Sequence, residues 1–431
     1  MPPGHTVTVR PAGASAYAHG VVTKPTARVD DYTARFDAFL EAEVTPVEDE
    51  LRANDVGSAA QPRLDERGRM HPMLWEARRE VQRRAAKAGL YNPHVSAEHG
   101  GDGFSRVEMQ HVEEHVYRHA GLGLGLCGLA WTEGTSPVLA DNASDAARGR
   151  YVEPLLAGEV TSAFANTEPT VGTDVLAMTT SARRDGRDWV INGRKSWITN
   201  AHFADFAQVV AVTEPGAGTA SLSMFIVDAD APGFRRGRDI PTMLGDGLTG
   251  ELELTDVRVP AENVVGEIGQ GFALAMAWIN WRRLCRGGMC AGWGAWLLGR
   301  AISRAQQRMS GGRPIGELQA VQHLLADMDA ALYAARAASL VAQSELDEIG
   351  PYKIPAHPDA PRLVSLVKLI NDEAFFRVTD RAVQVHGGAG LLQGSPEEKL
   401  FRVARNLKIP AGTVEIQRNA IARRLLRRDG P

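Results

Sequence analysis

The chain has 431 residues, of which 44% are hydrophobic and 23% charged, a composition that suits a globular protein with room for two or three domains. A formal net charge of −4 leaves no electrostatic footprint for nucleic acid or an anionic membrane. Cys127, Cys285 and Cys290 are few and lack metal-ligand spacing, so the expectation is a reducing, cytoplasmic setting with no disulfide framework and no bound metal.

Residues 1–28 are rich in Pro, Gly and small polar residues without a period, and read as a flexible extension with no secretory h-region. No run of about 18 apolar residues occurs, so no membrane span is expected. From Asp31 the pattern is helical: Tyr32, Phe36, Phe39, Leu40 and Val44 share one face until Pro46 interrupts. A polar insert follows at 55–69, then a helix from Pro72 to Ala88, a glycine-rich loop, and a helix from Ser105. The run Gly121 to Gly128, GLGLGLCG, contains a GxGxxG match. The segment before it is helical, so small residues allowing close packing are a better reading than a nucleotide loop.

Near Thr161 the period changes from 3.6 to 2. DWVINGRKSWITNA reads as a hairpin turning at Asn192-Gly193, and FAQVVAVTE, SLSMFIVDA and GELELTDVRVP read as three further strands. From Gly271 long helices return, over 271–308, 315–347, 359–386 and 413–428. The fold class expected is α+β and multidomain: an N-terminal helical domain (29–160), a central antiparallel β domain (161–268) and a C-terminal four-helix bundle (269–431). In the last stretch, FRVARNLKIPAGTVEIQR, Thr413 is placed to cap a helix after Gly412. The free N–H groups there suit an anion or polar ligand.

Four motifs, in this order and spacing, resemble those of the acyl-CoA dehydrogenase family. They are YVEPLLAGEVTSAFANTEPTVGTDV (151–175), KSWITN (195–200), RMSGGRPIGELQ (308–319), and QVHGGAG (384–390) followed by GTVEIQR (412–418). The resemblance covers roughly residues 32–428 and implies an FAD enzyme acting on an acyl thioester of coenzyme A or of acyl carrier protein. By this resemblance Phe164, Ala165, Asn166, Thr167 and Thr173 contact the flavin, with Thr173 also near substrate. Trp197, Ile198 and Thr199 cover the isoalloxazine ring. Arg308 and Gln319 reach a neighbouring subunit's FAD, where arginine suits pyrophosphate. Gln384, Val385, His386, Gly387 and Gly388 approach the adenine end, and Thr413 and Glu415 complete the contacts. The same resemblance implies a homodimer or homotetramer and an electron acceptor such as an electron-transfer flavoprotein.

The sequence departs from the family at its catalytic base. The base is a carboxylate that removes the α-proton of the thioester while hydride leaves the β-carbon. In most members it stands just before the Gly-Thr pair, where this chain has Ala411. In a minority it stands on the helix after the β domain, where this chain has Arg282 followed by Arg283, with Asn280 in place of a common aspartate. Asn280, Arg283, Ala411 and Gly412 remain the substrate-facing positions, and the catalytic residue is open. A positioned base contributes about 10²–10⁴-fold, so its loss has to be made up. Three readings follow: a flavin oxidoreductase with an unusual base or an acidic substrate; an FAD-binding subunit of a hetero-oligomer; or a redirected enzyme such as an oxidase, monooxygenase, reductase or redox-neutral catalyst. A non-enzymatic scaffold is disfavoured, because it would not need Thr167, Trp197, Arg308, Gln384 and Thr413.

Overall fold

The computed structural model describes residues 24–58, 61–129, 137–349 and 359–426; most of the expected N-terminal extension lies outside the described residues. Helix α1 (Ala27–Phe39) begins earlier than its apolar period suggests, because the Thr26 hydroxyl accepts from the Val29 N–H and caps it. Pro46 does not stop the helical path. The chain passes through a π-helical turn at Leu40–Val44 into α2 (Thr45–Ala53), placing Pro46 in a first turn where its missing N–H is not needed. Two longer helices follow, α3 (Pro72–Lys87) and α4 (Arg106–His119). Ser105 and Glu108 form a reciprocal capping box at the start of α4. The Gly121–Gly128 run holds a 3₁₀ segment, Leu124–Gly128, and no strand precedes it among the described residues. Short helices α5 (Pro137–Asn142), α6 (Asp145–Ala147) and α7 (Glu153–Leu156) lead into the sheet.

Eight strands form that sheet: β1 (Ser162–Ala165), β2 (Ser181–Asp185), β3 (Asp188–Thr199), β4 (Phe206–Val212), β5 (Leu222–Asp228), β6 (Phe234–Asp239), β7 (Thr249–Val259) and β8 (Val264–Val265). Their order is β6-β7-β3-β2-β4-β5-β8, with β1 beside β4. The β1–β4 pairing and the Ser181–Val212 contact are parallel and the remaining pairs antiparallel, so the sheet is antiparallel-rich rather than uniformly antiparallel. Both faces are buried. Along β4, Ala207, Val209 and Ala211 enter one core, while Phe206 and Val210 enter another beneath α5–α7.

The expected hairpin at Asn192-Gly193 is not there. β3 runs straight through these residues, and the turn lies at Gly186-Arg187, between Asp185 and Asp188. Asn192 instead reaches β7, its side chain donating to the Asp256 carboxylate and accepting from the Asp256 N–H. Gly193 marks a register shift and lies against Thr180, where a Cβ would lie 2.4 Å from the threonine Oγ1. The glycine permits close strand approach rather than a reversal.

After the sheet come α8 (Gly271–Leu284) and α9 (Arg286–Gln307), separated at Cys285 where the apolar pattern predicts one continuous helix. A two-stranded finger of β9 (Met309–Ser310) and β10 (Arg313–Pro314) leads to α10 (Gln319–Ile349) and α11 (Ala360–His386). Helix α12 (Pro396–Leu407), capped by Ser395, is an element beyond the four long helices expected here; α13 (Val414–Leu426) closes the described chain. Phe36, Val112, Trp281, Trp293 and Phe375 belong to one core that joins the N-terminal helices to the bundle. Asp347, near the end of α10, accepts from the Arg106 and Val107 N–H groups and so caps α4 from outside. Among the described residues no helix is long and apolar enough to cross a membrane.

Candidate active site

A ledge forms where β1 runs into the Thr167-Glu168-Pro169 turn alongside the end of β3. The Ser196 N–H donates to the Thr167 carbonyl at 2.9 Å, tying the two segments together, and the Ser196 hydroxyl donates to Glu251 of β7. Beneath them Lys195 is wholly buried. Its ammonium donates to the Asn166 carbonyl at 3.0 Å and to Glu168 at 3.1 Å. Glu168 also accepts from the Thr179 and Thr180 N–H groups and the Thr179 hydroxyl. Burial pushes the Glu168 carboxyl up, but Lys195 and these hydrogen bonds outweigh it and bring the pKa to about 2. Burial draws Lys195 down to about 8, with Glu168 opposing the shift. Glu168 and Lys195 stand inside two of the family-like motifs, yet sequence reasoning assigns neither a role. The sequence offers only an acidic residue in one motif and a basic residue in the next; that the two are buried together is a property of the fold.

On this ledge Trp197 is 59% exposed and sits at φ +62°, off the extended path of its strand. That backbone costs about 1–2 kcal/mol for a non-glycine residue, and it turns an indole toward solvent where the strand pattern predicts burial. Thr199 and Thr173 are exposed and Thr167 is half-buried, so their hydroxyls are available at the surface. Phe164 stacks on Trp278 of α8 with ring centroids 4.1 Å apart. Ala165, Asn166 and Ile198 are buried, with Ala165 and Ile198 paired in the sheet and the Asn166 carbonyl held by Lys195.

The loop before α13 abuts α8. Ala411 adopts φ +59° and its carbonyl accepts from Arg283 Nε at 2.7 Å, while Arg283 Nη1 donates to Asn280 at 2.8 Å. Gln417 donates to the Gly412 carbonyl, and Gly412 sits at φ +83°, a left-handed backbone that favours glycine. The Arg282 guanidinium lies over the Trp278 and Trp281 rings at 5.9 and 6.0 Å. Burial lowers both arginines to about 10, which leaves them cationic at neutral pH. The loop keeps a fixed, left-handed backbone at position 411 with only a methyl group on it.

The bundle carries the remaining expected residues. Thr413 and Glu415 line a cleft of about 450 Å³ together with Arg405, Lys408 and Arg418. The Thr413 hydroxyl accepts from the Ile416 N–H as an N-cap. Arg308 and Gln319 are exposed at either end of the β9–β10 finger, and Gln384, Gly387 and Gly388 are exposed at the end of α11. Val385 is buried. His386 is turned inward: Nδ1 pairs with the Ala382 carbonyl and Nε2 lies 3.2 Å from Glu397, so its ring is committed to the protein.

Three family profiles match in sequence along the chain: acyl-CoA dehydrogenase N-terminal domain over 59–159, middle domain over 163–257 and C-terminal domain over 269–426. The chain belongs to the acyl-CoA dehydrogenase family. It is 35% identical to a cyclohex-1-ene-1-carbonyl-CoA dehydrogenase of Geobacter metallireducens, across 79% of this chain and 88% of the relative. It is 30% identical to the CarC subunit of the caffeyl-CoA reductase-Etf complex of Acetobacterium woodii, across 81% of this chain and 90% of that subunit. The crystal structure of a probable acyl-CoA dehydrogenase from Mycobacterium abscessus superposes with a TM-score of 0.80 at 30% identity, covering 93% of this chain and 99% of that one. The family's reaction is FAD-dependent oxidoreduction at a carbon–carbon bond of an acyl thioester. The residues present fit FAD: an exposed indole held out of its strand, hydroxyls beside it, and a cleft in which Arg405 stands beside Lys408 and Arg418, both paired with Glu373, next to a capped helix start.

Proposed function

We propose that this enzyme moves hydride at the β-carbon of an acyl thioester without a carboxylate of its own at the α-carbon, and that its substrate carries an α-hydrogen made acidic by a second electron-withdrawing group. FAD in this site supplies hydride transfer at N5. The chain's residues do the rest. Trp197 shields the ring face from water, and Thr167, Thr173 and Thr199 offer hydroxyls to its polar edge. Arg405 balances phosphate charge near Thr413 and Glu415, with Lys408 and Arg418 adding to it once drawn away from Glu373, and the exposed Gly387 and Gly388 allow close backbone approach near Gln384. Arg308 and Gln319 reach from a second copy of the chain, as the family resemblance implies, in a homodimer or homotetramer.

The observation that carries the reading is Ala411. Its backbone is held by Arg283 in a left-handed conformation, yet no carboxylate projects from it. At the other family base position stands Arg282, a cation that favours negative charge nearby. Such a site stabilises a carbanion or enolate formed at the α-carbon but carries no carboxylate at either family base position among the described residues to make it. An activated substrate supplies that acidity itself. Coenzyme A is the favoured thiol over a carrier protein, and an electron-transfer flavoprotein the favoured redox partner, since a relative's name places it in a complex with one. A soluble cytoplasmic setting is in keeping with both. The test is an anaerobic titration of purified holoenzyme with saturated acyl-CoAs and with acyl-CoAs bearing a second α-activating group. Bleaching by the activated set alone supports the proposal; equal bleaching by both sets defeats it.

A further inference from the structure

Helix α4 carries His111, His115 and His119, spaced by four residues and therefore stacked along one face. His111 is buried, and burial with the nearby Arg336 cation draws its pKa down to about 4. The next two histidines rise toward the surface and meet Asp37 of α1. His115 Nε2 lies 2.7 Å from Asp37 Oδ1, and the His115 and His119 rings are stacked with centroids 3.9 Å apart. His119 Nδ1 pairs with the His115 carbonyl, which leaves Nε2 as the atom with an available lone pair. One ligand atom from each of Asp37, His115 and His119 lies within 4.8 Å of the others.

We propose that Asp37, His115 and His119 form a binding site for a divalent transition cation of the zinc class, joining α1 to α4. Two imidazoles and one carboxylate are a donor set that zinc accepts, with water completing the fourth position. Tetrahedral zinc, with bonds of about 2.0–2.1 Å, holds its ligand atoms about 3.3 Å apart. The cluster reaches that spacing by small side-chain rotations, opening the Asp37–His115 contact and drawing in His119. A hard cation such as magnesium, which prefers an oxygen cage, has one oxygen ligand here and is excluded. Cysteine spacing gives no sign of this site, because its ligands are histidines on one helix and an aspartate on another. None of the three is among the residues assigned to the flavin or the thioester.

The experiment uses the full-length, FAD-loaded enzyme, stripped with a chelator and dialysed against zinc chloride. The expected result is one zinc per chain in a saturable step, with a rise in melting temperature that magnesium chloride does not reproduce. His119 is exposed, so His119→Ala is expected to fold and retain its flavin. It should lose affinity by more than the roughly tenfold that removal of a supporting outer-shell group costs, and lose the melting shift. Asp37→Asn should behave likewise. Absence of a saturable step in the wild type overturns the proposal. So does zinc binding of equal stoichiometry and affinity in wild type and His119→Ala, which would place the metal elsewhere.

Discussion

Lys195 Nζ lies 3.1 Å from Glu168 Oε1 at a point where neither side chain is more than 1% exposed. The pair sits directly under the ledge and holds the Asn166 carbonyl, so it fixes the turn that presents Thr167 and Thr173. Breaking a buried pair by removing one partner costs about 3–5 kcal/mol, because the other charge is left without compensation. Lys195→Met is therefore expected to lower unfolding free energy by that amount and to release flavin during purification. Denaturant unfolding and the ratio of flavin to protein absorbance read both effects. The sign of the pH dependence follows from Glu168, whose pKa in the fold is about 2 against an ordinary 4.5. Its stabilising contribution is complete above pH 4.5 and lost as pH falls toward 2. Glu168→Gln should flatten stability over that window.

Glu113 gives the opposite sign. It is fully buried on α4, and burial pushes its pKa to about 7, against the lowering effects of Arg106, a hydrogen bond with Cys285, and Arg282. A carboxyl raised above its ordinary value holds a proton that the unfolded chain has released, so stability falls as pH rises from 4.5 to 7. Glu113→Gln removes this slope and is expected to unfold at higher denaturant than wild type at about pH 8, above the raised pKa. A comparison of unfolding midpoints on the acid and alkaline sides of that window checks it for the two proteins. A difference that does not change with pH would mean Glu113 is ionised throughout.

Arg283 bridges the loop and α8 by hydrogen bonds to both the Ala411 carbonyl and Asn280. Arg283→Met removes these two hydrogen bonds made by a charged group, each worth about 1.5–3 kcal/mol, and frees the 410–413 loop. The expected outcome is faster proteolysis at this loop and weaker substrate binding, with the flavin retained on the ledge. Limited proteolysis with and without an acyl-CoA measures it.

Much of the architecture is legible in the amino-acid sequence alone. The four motifs specify the family, and the change of period near Thr161 separates helical from strand-forming sequence. Local rules also place Thr413 as a cap. What they miss depends on tertiary partners. Asn192-Gly193 has the composition of a hairpin turn, but Asp256 on β7 takes up the asparagine and Thr180 needs the glycine, so the reversal moves to Gly186. Helix α12 carries its start signal at Ser395-Pro396, yet the four helices expected over 271–428 leave it out, because at 12 residues it is short beside the long helices that flank it. Glu168 and Lys195 take their roles from burial and from each other, neither of which spacing reveals.

The central claim, that the enzyme lacks a base of its own at the α-carbon, is tested most directly by Ala411→Glu. The backbone at 411 is already left-handed and held by Arg283, so a glutamate enters at no new conformational cost beyond the ~1–2 kcal/mol that alanine bears there. The measurement is the anaerobic rate at which a saturated, unactivated acyl-CoA bleaches the bound flavin. The account predicts negligible bleaching in wild type and a gain on the order of 10²–10⁴-fold in Ala411→Glu. Wild-type bleaching as fast as that of the variant, with flavin fully bound in both, would contradict it.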